Sequence, residues 1–258
     1  MRDFVTALAA RGEYLFSSAD ARKAMDVSAD AAKMALNRLA KQGLVASPGR
    51  GYYVIVSPEY RSLGCLPAEQ FIPELMKRQG LSYYAGLLSA AQFHGAAHHR
   101  PQEFQVVVAK ARRPIICGKV RVAFFVRKSL AAIPTQSFNT PRGTILVSSP
   151  EATAFDLVGY HAQTGGLDQV ATMLSELAES IAPDKLAAIA ATAPVPWAQR
   201  LGYLLDRAGV GDKTAPLKTY VDTHARRITP LLAAANMTGM PRDEVWKIAV
   251  NVAVEAEF

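Results

Sequence analysis

The sequence is poor in cysteine, with only Cys65 and Cys117 among its 258 residues. Two cysteines are too few for the cross-linked scaffold of a small secreted protein, so we expect two buried and reduced thiols. Long apolar runs are missing as well, since none approaches the ~18 residues that a membrane-spanning helix needs. Residues 1–3 do not open a basic and then apolar leader with a cleavage site. These absences predict a cytoplasmic location and no membrane partner.

The motifs of several catalytic classes are absent too. The sequence has no Gly-x-Ser-x-Gly elbow, and Gly165-Gly166 lacks the GxxxxGK[ST] context of a phosphate-binding loop. A strand-like segment ends in Lys110, an arrangement that could suggest a nuclease. However, residues 104–148 contain no carboxylate that could hold magnesium. We therefore expect no catalytic residue and no enzymatic activity.

The histidines give little support for a metal site. His94, His98 and His99 are close together, but neither the cysteines nor a carboxylate falls at the spacing of a ligand set. We expect no metal and no cofactor.

What the sequence does contain is enough apolar residues for a substantial core. Half of the residues are hydrophobic and a fifth are charged, which is ordinary for a globular protein of one or two domains. The net charge of +7 is unevenly distributed, because residues 61–150 contain 12 Lys and Arg against 3 Asp and Glu. Residues 151–258 instead contain 9 against 13. A basic middle favours a polyanionic partner, such as nucleic acid, or an acidic protein surface.

The clearest local pattern lies in residues 28–56. Ser28 is a typical helix cap, and Ala32, Leu36 and Leu39 recur at helical spacing. The pattern predicts a helix with one apolar stripe to bury and a polar face on the opposite side.

A turn-rich hairpin is predicted to follow this helix. Gly43 is placed for a left-handed helix end, and residues 44–46 and 52–56 have the composition of two strands. Residues 47–51 form the predicted tip, which carries Arg50.

Residues 1–27 supply two shorter helices before the pattern, predicted at 1–11 and 18–25. Ser17 and Asp20 have the spacing of a reciprocal helix cap. Residues 1–57 therefore predict a winged helix-turn-helix domain that binds DNA.

The candidate DNA contacts are the donor-bearing side chains of the last two helices and the hairpin tip. Lysine and arginine would clamp phosphates, and Asn37 could pair with adenine through two hydrogen bonds. Helix-turn-helix folds also serve as protein-binding modules, and this alternative stays open. The candidate residues are Arg22, Lys23, Ser28, Lys33, Asn37, Lys41 and Arg50.

For the rest of the chain, residues 58–258, we expect one larger domain of mixed structure. We expect an α/β region at about 68–160 with a small sheet, and a mostly helical region at about 161–258, so that the fold class is α+β. Helices are expected at 68–79 with an interruption near Pro73, and at 82–97, 151–161 and 167–180. Further helical or mixed structure is expected at 184–191, 197–207, 220–232 and 241–254. Strands are expected at 104–109, 120–126 and 144–147.

A basic cluster brackets two of these predicted strands. Many of its side chains should reach one surface, which would suit a polyanion or an acidic partner. The alternative is a solvated basic rim without a partner. The cluster consists of Lys110, Arg112, Arg113, Lys119, Arg121, Arg127 and Lys128.

Several segments resemble the AbiEi-type antitoxins of type IV toxin–antitoxin systems. They are YYAGLLSAAQFHGAA at 83–97, PQEFQVV at 101–107, VSSPEATAFDLV at 147–158 and GGLD at 165–168. The predicted winged helix and WKIAVN at 246–251 also look like that family. The similarity covers nearly the whole chain.

This resemblance implies a transcriptional autorepressor that also neutralises a nucleotidyltransferase toxin encoded beside it, in a system of phage defence. It implies that the winged helix binds double-stranded DNA at inverted repeats in the shared promoter. It also implies that the larger domain supplies the antitoxic activity, without catalytic residues.

Two other functions stay open from the sequence. One is a stand-alone regulator whose basic second domain binds RNA or a small anionic ligand. The other is a divergent nuclease, although no cluster of carboxylates supports it.

Overall fold

A computed structural model of the chain describes residues 1–97 and 101–255. The chain divides into two compact units. Unit 1 consists of Met1–Tyr84, Gln102–Lys128 and Ser137–Leu146, and unit 2 of Ala85–Pro101, Ser129–Gln136 and Val147–Phe258. Residues 1–57 thus share unit 1 with later parts of the chain. The predicted functional division at residues 57 and 58 stays a prediction.

The described residues form ten α-helices and twelve short strands. The helices are α1 (Arg2–Ala10), α2 (Ser18–Met25), α3 (Ala29–Lys41), α4 (Ala68–Arg78), α5 (Leu87–Phe93), α6 (Pro150–Gly159), α7 (Leu167–Leu177), α8 (Pro183–Ala190), α9 (Val195–Arg207) and α10 (Ala215–His224). The strands are β1 (Leu15–Ser17), β2 (Val45–Gly49), β3 (Tyr52–Ile55), β4 (Tyr83–Ala85), β5 (Phe104–Val108), β6 (Ile115–Cys117), β7 (Val120–Val126), β8 (Thr135–Thr140), β9 (Gly143–Ser148), β10 (Thr229–Pro230), β11 (Arg242–Asp243) and β12 (Ile248–Ala249).

The first part of unit 1 contains α1 to α3 and a three-stranded antiparallel sheet in the order β1-β3-β2. The apolar stripe of α3 is buried, as the sequence predicts, with Leu36 and Leu39 in a core that includes Leu8, Phe16 and Val45. The two sides of the sheet are held in register by pairing of β1 and β2 with the central strand β3.

A six-stranded sheet, most of whose residues belong to unit 1, has the order β6-β7-β5-β4-β9-β8. β5 pairs with β7 in parallel, so that Val108 faces Val126, and β6 pairs with β7 as an antiparallel hairpin. One core cluster joins both sheets of unit 1, because it contains Leu15 and Val54 together with Phe71 and Val106.

Helix α4 is continuous through Pro73, so the predicted interruption is wrong. A proline costs one backbone hydrogen bond in a helix. Here the helix buries Phe71, Ile72, Leu75 and Met76 on one face. Burial of four large apolar side chains outweighs the loss of one bond, since each contributes about 1.5–3 kcal/mol.

The helix predicted at 82–97 is also wrong in its first half. Residues Tyr83–Ala85 form strand β4, and the helix begins only at Leu87. Gly86 separates the two elements and has an extended backbone. The segment 220–232, expected to be helical or mixed, is mixed: α10 ends at His224, and strand β10 begins at Thr229.

Unit 2 is built around α6, whose residues Pro150–Val158 are all buried. Helix α9 packs against α6, and its buried Gln199 amide donates to the carbonyls of Arg227, Trp246 and Lys247 at 3.0–3.2 Å. A small sheet in the order β10-β12-β11 completes this unit. These observations confirm the predicted α+β class.

Two further observations apply to residues 1–97 and 101–255. No helix there combines the length and apolar character that crossing a membrane requires. In the same residues, no three side chains of His, Cys, Asp or Glu come together as a metal site.

Candidate nucleic-acid interface

Helix α2 begins with the reciprocal cap that the sequence predicts. The Ser17 hydroxyl accepts a hydrogen bond from the Asp20 N–H at 3.0 Å, and the Ser17 N–H donates to the Asp20 carboxylate at 2.9 Å. The helix ends at Asp26, which has a left-handed backbone with φ of 49°. This conformation turns the chain directly into α3.

Helix α3 presents a polar face to solvent. Ser28 caps the helix, and its hydroxyl accepts from the Ala31 N–H at 3.2 Å. Lys33, Asn37 and Lys41 are exposed, one turn apart, on the side opposite the buried stripe. These three side chains are therefore accessible to a binding partner.

The hairpin tip lies next to α2. The Ser47 hydroxyl bonds to the Gly49 and Tyr52 carbonyls at 2.9 and 3.0 Å. Gly51 has φ of +79°, a left-handed conformation that closes the turn. The Ser18 N–H donates to the Gly51 carbonyl at 2.8 Å, which fixes the tip against the start of α2.

A cleft of about 420 Å³ forms where α2, α3 and the hairpin tip meet. Arg22, Lys33 and Arg50 all line it, together with Ser18 and Tyr53. Three cations around one cleft attract an anion of phosphate size, because their fields add and the residues that line the cleft include no acid. The structure thus brings together three of the seven predicted DNA contacts.

The seven predicted DNA contacts are all exposed. Within the described parts of the chain, no hydrogen bond or ion pair engages their side chains, apart from the cap bond of Ser28. The Ser28 hydroxyl keeps its own proton free to donate. Free donors at exposed positions can bind phosphates without first breaking internal bonds.

Two exposed residues on the same face of α3 were not predicted from the sequence. Arg38 is exposed next to Asn37, and Met34 is 63% exposed one turn before it. An exposed methionine can make apolar contact with a thymine methyl group. Met34 and Arg38 are four residues apart in the sequence, and this helical spacing could have indicated that they share a face of α3.

The basic cluster of the sheet differs from its prediction at Arg127. This side chain is only 4% exposed, so its predicted surface position is wrong. The reason lies in the sheet, because the Arg127 N–H still bonds to the Val108 carbonyl at 3.0 Å and continues the pairing of β5 and β7. Lys128, the next residue, is exposed.

Arg112 is also bound within unit 1. Its guanidinium donates to the Gln79 side chain at 2.6 Å and to the Met76 sulfur at 3.2 Å, and it lies 5.1 Å from the centre of the Phe124 ring. Partial burial lowers the pKa of Arg112. This arginine therefore packs against the end of α4 and is not a free surface charge.

The remaining five residues of the cluster are exposed but lie at two ends of the hairpin-bearing sheet. Lys119 belongs to the β6–β7 turn, where its N–H donates to the Leu63 carbonyl at 2.7 Å, and Arg121 follows it. Lys110 and Lys128 follow the ends of the parallel strands β5 and β7. Since β7 has seven residues, the two groups are about 20 Å apart at ~3.3 Å per residue.

A pair of arginines ties residues 1–57 to the rest of unit 1. The Arg78 guanidinium donates to the Asp20 carboxylate at 2.8 Å and to Glu74 at 2.7 Å. Burial of Asp20 raises its pKa, but the bonds from Ser17 and the Arg78 charge outweigh this effect and lower the pKa below 3.8.

Arg142, in the turn between β8 and β9, is the second tie. Its Nη2 donates to the Ser57 hydroxyl at 2.7 Å, its Nε donates to the Gln70 side chain at 2.8 Å, and its Cζ lies 3.2 Å above the Tyr14 ring. Its side chain is only 11% exposed. We call this set of contacts the Arg142 clamp.

The predicted histidine cluster can be judged only at His94, because His98 and His99 lie outside the described residues. The His94 Nε2 is 2.7 Å from the Ser148 carbonyl. Burial lowers the pKa of His94. The ring is therefore neutral at pH 7 and serves to hold α5 to the end of β9.

The segment 147–158 has structural contacts of the same kind. The Ser149 hydroxyl accepts from the Ala152 N–H at 3.3 Å and caps α6. The Glu151 carboxylate accepts from the Ala182 N–H at 3.0 Å. Ser148 and Thr153 share a hydrogen bond of 2.7 Å. These side chains stabilise the centre of unit 2.

The described residues form an α+β protein, and its middle part supports an antitoxin or regulator role through a family match. Residues 84–207 match the family model of the AbiEi antitoxin C-terminal domain. The resemblance stated from the sequence is thereby confirmed.

One solved structure is similar over nearly the whole chain. It is the crystal structure of the RV2827C protein from Mycobacterium tuberculosis, with a TM-score of 0.67 and 16% sequence identity. The similarity covers 95% of this chain and 89% of that chain. At this identity the likeness concerns the fold alone. No curated protein matches the sequence.

Proposed function

We propose that this protein is a DNA-binding transcriptional autorepressor and an antitoxin of a nucleotidyltransferase toxin. In this proposal residues 1–57 act as a winged helix-turn-helix that binds inverted repeats in the promoter of its own operon. Residues 58–258 supply the antitoxic activity and need no catalytic residue, metal or cofactor. The protein and its toxin form a type IV toxin–antitoxin system.

The observation that carries the DNA-binding part is the convergence of Arg22, Lys33 and Arg50 on one cleft. The polar face of α3 continues from this cleft with exposed Asn37 and Lys41. Cations of this kind would contact phosphates and fix the register, while Asn37 would contact a base in the major groove.

The antitoxin part is supported by the AbiEi domain at residues 84–207. A toxin partner follows from that domain in the proposal, and direct contact with the toxin is one of three routes to neutralisation. Competition for the toxin's nucleic-acid substrate and reversal of its modification are the others. The first two routes need no enzymatic site in this chain and fit the proposal, whereas reversal of a covalent modification would require one.

The test is binding of the full chain to its own promoter at several salt concentrations. Lys33→Ala and Arg50→Ala should each weaken binding to every sequence and reduce the slope of log affinity against log salt by about 0.9, the value for one phosphate contact. Asn37→Ala should leave the salt slope unchanged. It should reduce the free-energy difference between the preferred and the other base pairs at one position by roughly 1–3 kcal/mol.

Lys185→Ala provides a matched control, because Lys185 is an exposed lysine of unit 2 outside the proposed interface. It should change neither the affinity nor the slope. Unchanged binding in all three interface variants would reject this face of α3. In cells, the Lys33→Ala/Arg50→Ala double variant should lose repression and still neutralise the toxin.

The second candidate is a stand-alone regulator whose basic residues on the sheet bind RNA or a small anionic ligand. The exposed Lys110, Arg113 and Lys128 favour it, since they lie outside the proposed winged helix. An adjacent gene without nucleotidyltransferase character would support this candidate over the first.

A further inference from the structure

Unit 1 contains a groove that the proposed function does not use. We call it the α1 groove, because Val5 and Ala9 of that helix form one wall. Leu39, Leu44 and Ile55 form the opposite wall and the floor. Its volume is about 730 Å³, which falls within the roughly 300–1,000 Å³ of small-molecule sites in proteins.

The rim of the α1 groove is more positive than negative. Arg2 and Arg61 both line it, and Glu59 is the acid among its lining residues. Arg61 is exposed, and its side chain has no partner among the described residues. Arg2 donates to the neutral side chain of Gln42 at 2.8 Å, so its charge is not cancelled.

The one negative charge is partly offset within the protein. The Glu59 carboxylate lies 3.6 Å from the Arg142 guanidinium. An anion entering the groove would therefore meet two arginines whose charges are available. An apolar body would be removed from water against the two walls, at about 25 cal/mol per Å² of buried apolar surface.

We propose that the α1 groove binds a small organic anion with an apolar body, of the class of aromatic carboxylates and sulfonates. Its apolar part would pack against Val5, Leu39 and Ile55, and its anionic group would lie at Arg61. None of the seven candidate DNA contacts lines this groove. The site is therefore distinct from the proposed nucleic-acid interface.

The position of the groove gives such a ligand a route to the rest of unit 1. Tyr14 and Ser57 line the groove, and both are held by the Arg142 clamp. A bound ligand would contact the same two residues that tie the first 57 residues to the β8–β9 turn. We therefore assign the groove the role of an effector site.

The test uses 8-anilinonaphthalene-1-sulfonate, an aromatic anion that fluoresces when it leaves water, with the full-length protein. The wild type should bind one probe molecule per chain in a saturable way. Thr6→Trp, which fills the groove from an exposed position on α1, should weaken binding more than tenfold. Ala9→Phe is a second filling variant, in case the first one does not fold by circular dichroism.

A charge variant separates this site from general apolar binding. Arg61→Gln should weaken the sulfonate about fivefold, the effect of one partly exposed ion pair. The same change should leave the neutral analogue N-phenyl-1-naphthylamine unaffected. Arg113→Gln is the matched control, because Arg113 is exposed and lies outside the groove.

Three results would overturn the proposal. Sulfonate binding could survive both filling variants, Arg61→Gln could weaken both probes equally, or the groove could be occupied by a second copy, seen as a dimer in sedimentation. Lys33→Ala should bind the sulfonate normally. The groove and the proposed DNA interface can therefore fail independently of each other.

Discussion

Asp20 serves two structural purposes through one carboxylate. It receives the Ser17 N–H at the start of α2, and it pairs with Arg78 of α4. Because its pKa is lowered in the folded protein, the charged carboxylate stabilises the fold. That contribution is fully present above the ordinary pKa of 3.8 and is lost as the pH falls through the lowered value.

We predict that Asp20→Asn lowers the free energy of unfolding by about 0.5–1 kcal/mol at pH 7, the usual range for a helix cap with an exposed ion pair. The difference from the wild type should shrink below pH 3.8, where the native carboxylate also becomes protonated. Urea unfolding at pH 7 and pH 2.5 measures both values. Glu13→Gln, which removes the exposed pair with Arg11, is the control and should change little. An equal loss at both pH values would contradict the charge-based account.

Gly202 is a position where two opposing effects can be compared. An added Cβ there would lie 2.1 Å from the Trp246 ring. The ring is buried, and its Nε1 donates to the Asp206 carboxylate at 2.6 Å, so it has little freedom to shift. Alanine in place of glycine stabilises a helix by about 1 kcal/mol, but overpacking costs typically 1–3 kcal/mol.

We therefore predict that Gly202→Ala lowers the free energy of unfolding by up to about 2 kcal/mol despite the better helix propensity. Thermal or urea unfolding of the full chain measures this change. Gly49→Ala is a suitable comparison, because nothing lies within 4 Å of its added Cβ. A more stable Gly202→Ala protein would mean that the indole ring can move.

At the scale of elements, contacts connect the hairpin tip to one end of the basic cluster. The Gly51 carbonyl receives the Ser18 N–H, Asp20 pairs with Arg78, and Gln79 receives Arg112. The loop after β5 is thus linked through the end of α4 to the start of α2. The β6–β7 turn instead contacts Leu63.

This arrangement predicts different effects for the two ends of the cluster. Lys110→Ala/Arg113→Ala should reduce the salt slope of promoter binding by up to about 1.8, for two phosphate contacts. Lys119→Ala/Arg121→Ala should leave the slope unchanged. Filter binding or anisotropy between 50 and 200 mM salt measures both. The opposite result would place the DNA along the β6–β7 turn.

Elements with a strong local pattern could be predicted from the sequence, and those set by tertiary contacts could not. The β-branched run of β7 and the Ser149-Pro150 start of α6 were predicted closely. Residues 83–85 have helix-compatible spacing, yet they form a strand, since β9 offers a partner in which Ala85 pairs with Val147. Tertiary pairing overrides a weak local preference.

The candidate site shows the same limit. Individual donors such as Lys33 and Arg50 could be identified from the sequence, because their positions follow from helical period and turn composition. Their convergence on one cleft could not, since it depends on the Ser18–Gly51 hydrogen bond between distant segments. The burial of Arg127 could not be predicted either, because the sequence around a charged residue at a strand end does not show which residues pack against it.

At the scale of the whole molecule, residues 1–57 are part of a larger core. Leu15 and Val54 lie in one apolar cluster with Leu66, Phe71 and Leu75. Removing the first 57 residues would expose this cluster to water, and each large side chain that becomes exposed costs about 1.5–3 kcal/mol.

We predict that a chain of residues 58–258 unfolds at a lower temperature than the full protein and exposes apolar surface. Calorimetry of the two chains, with dye binding at 25 °C, measures the difference. If the shorter chain neutralises the toxin weakly, the cellular abundance of the shorter chain should be reduced in proportion. Equal melting temperatures would mean that the other residues of the core cluster pack equally well without Leu15 and Val54.

The Arg142 clamp has a consequence for protein engineering. A graft that carries only residues 1–57 onto another scaffold would leave Tyr14 without its cation and Ser57 without its donor. A transplantable module would have to include the β8–β9 turn, which lies 85 positions beyond Ser57 in the chain. Chimeras that receive residues 1–57 together with the β8–β9 turn should keep the promoter preference of the donor protein. Chimeras that receive residues 1–57 alone should discriminate less between promoters.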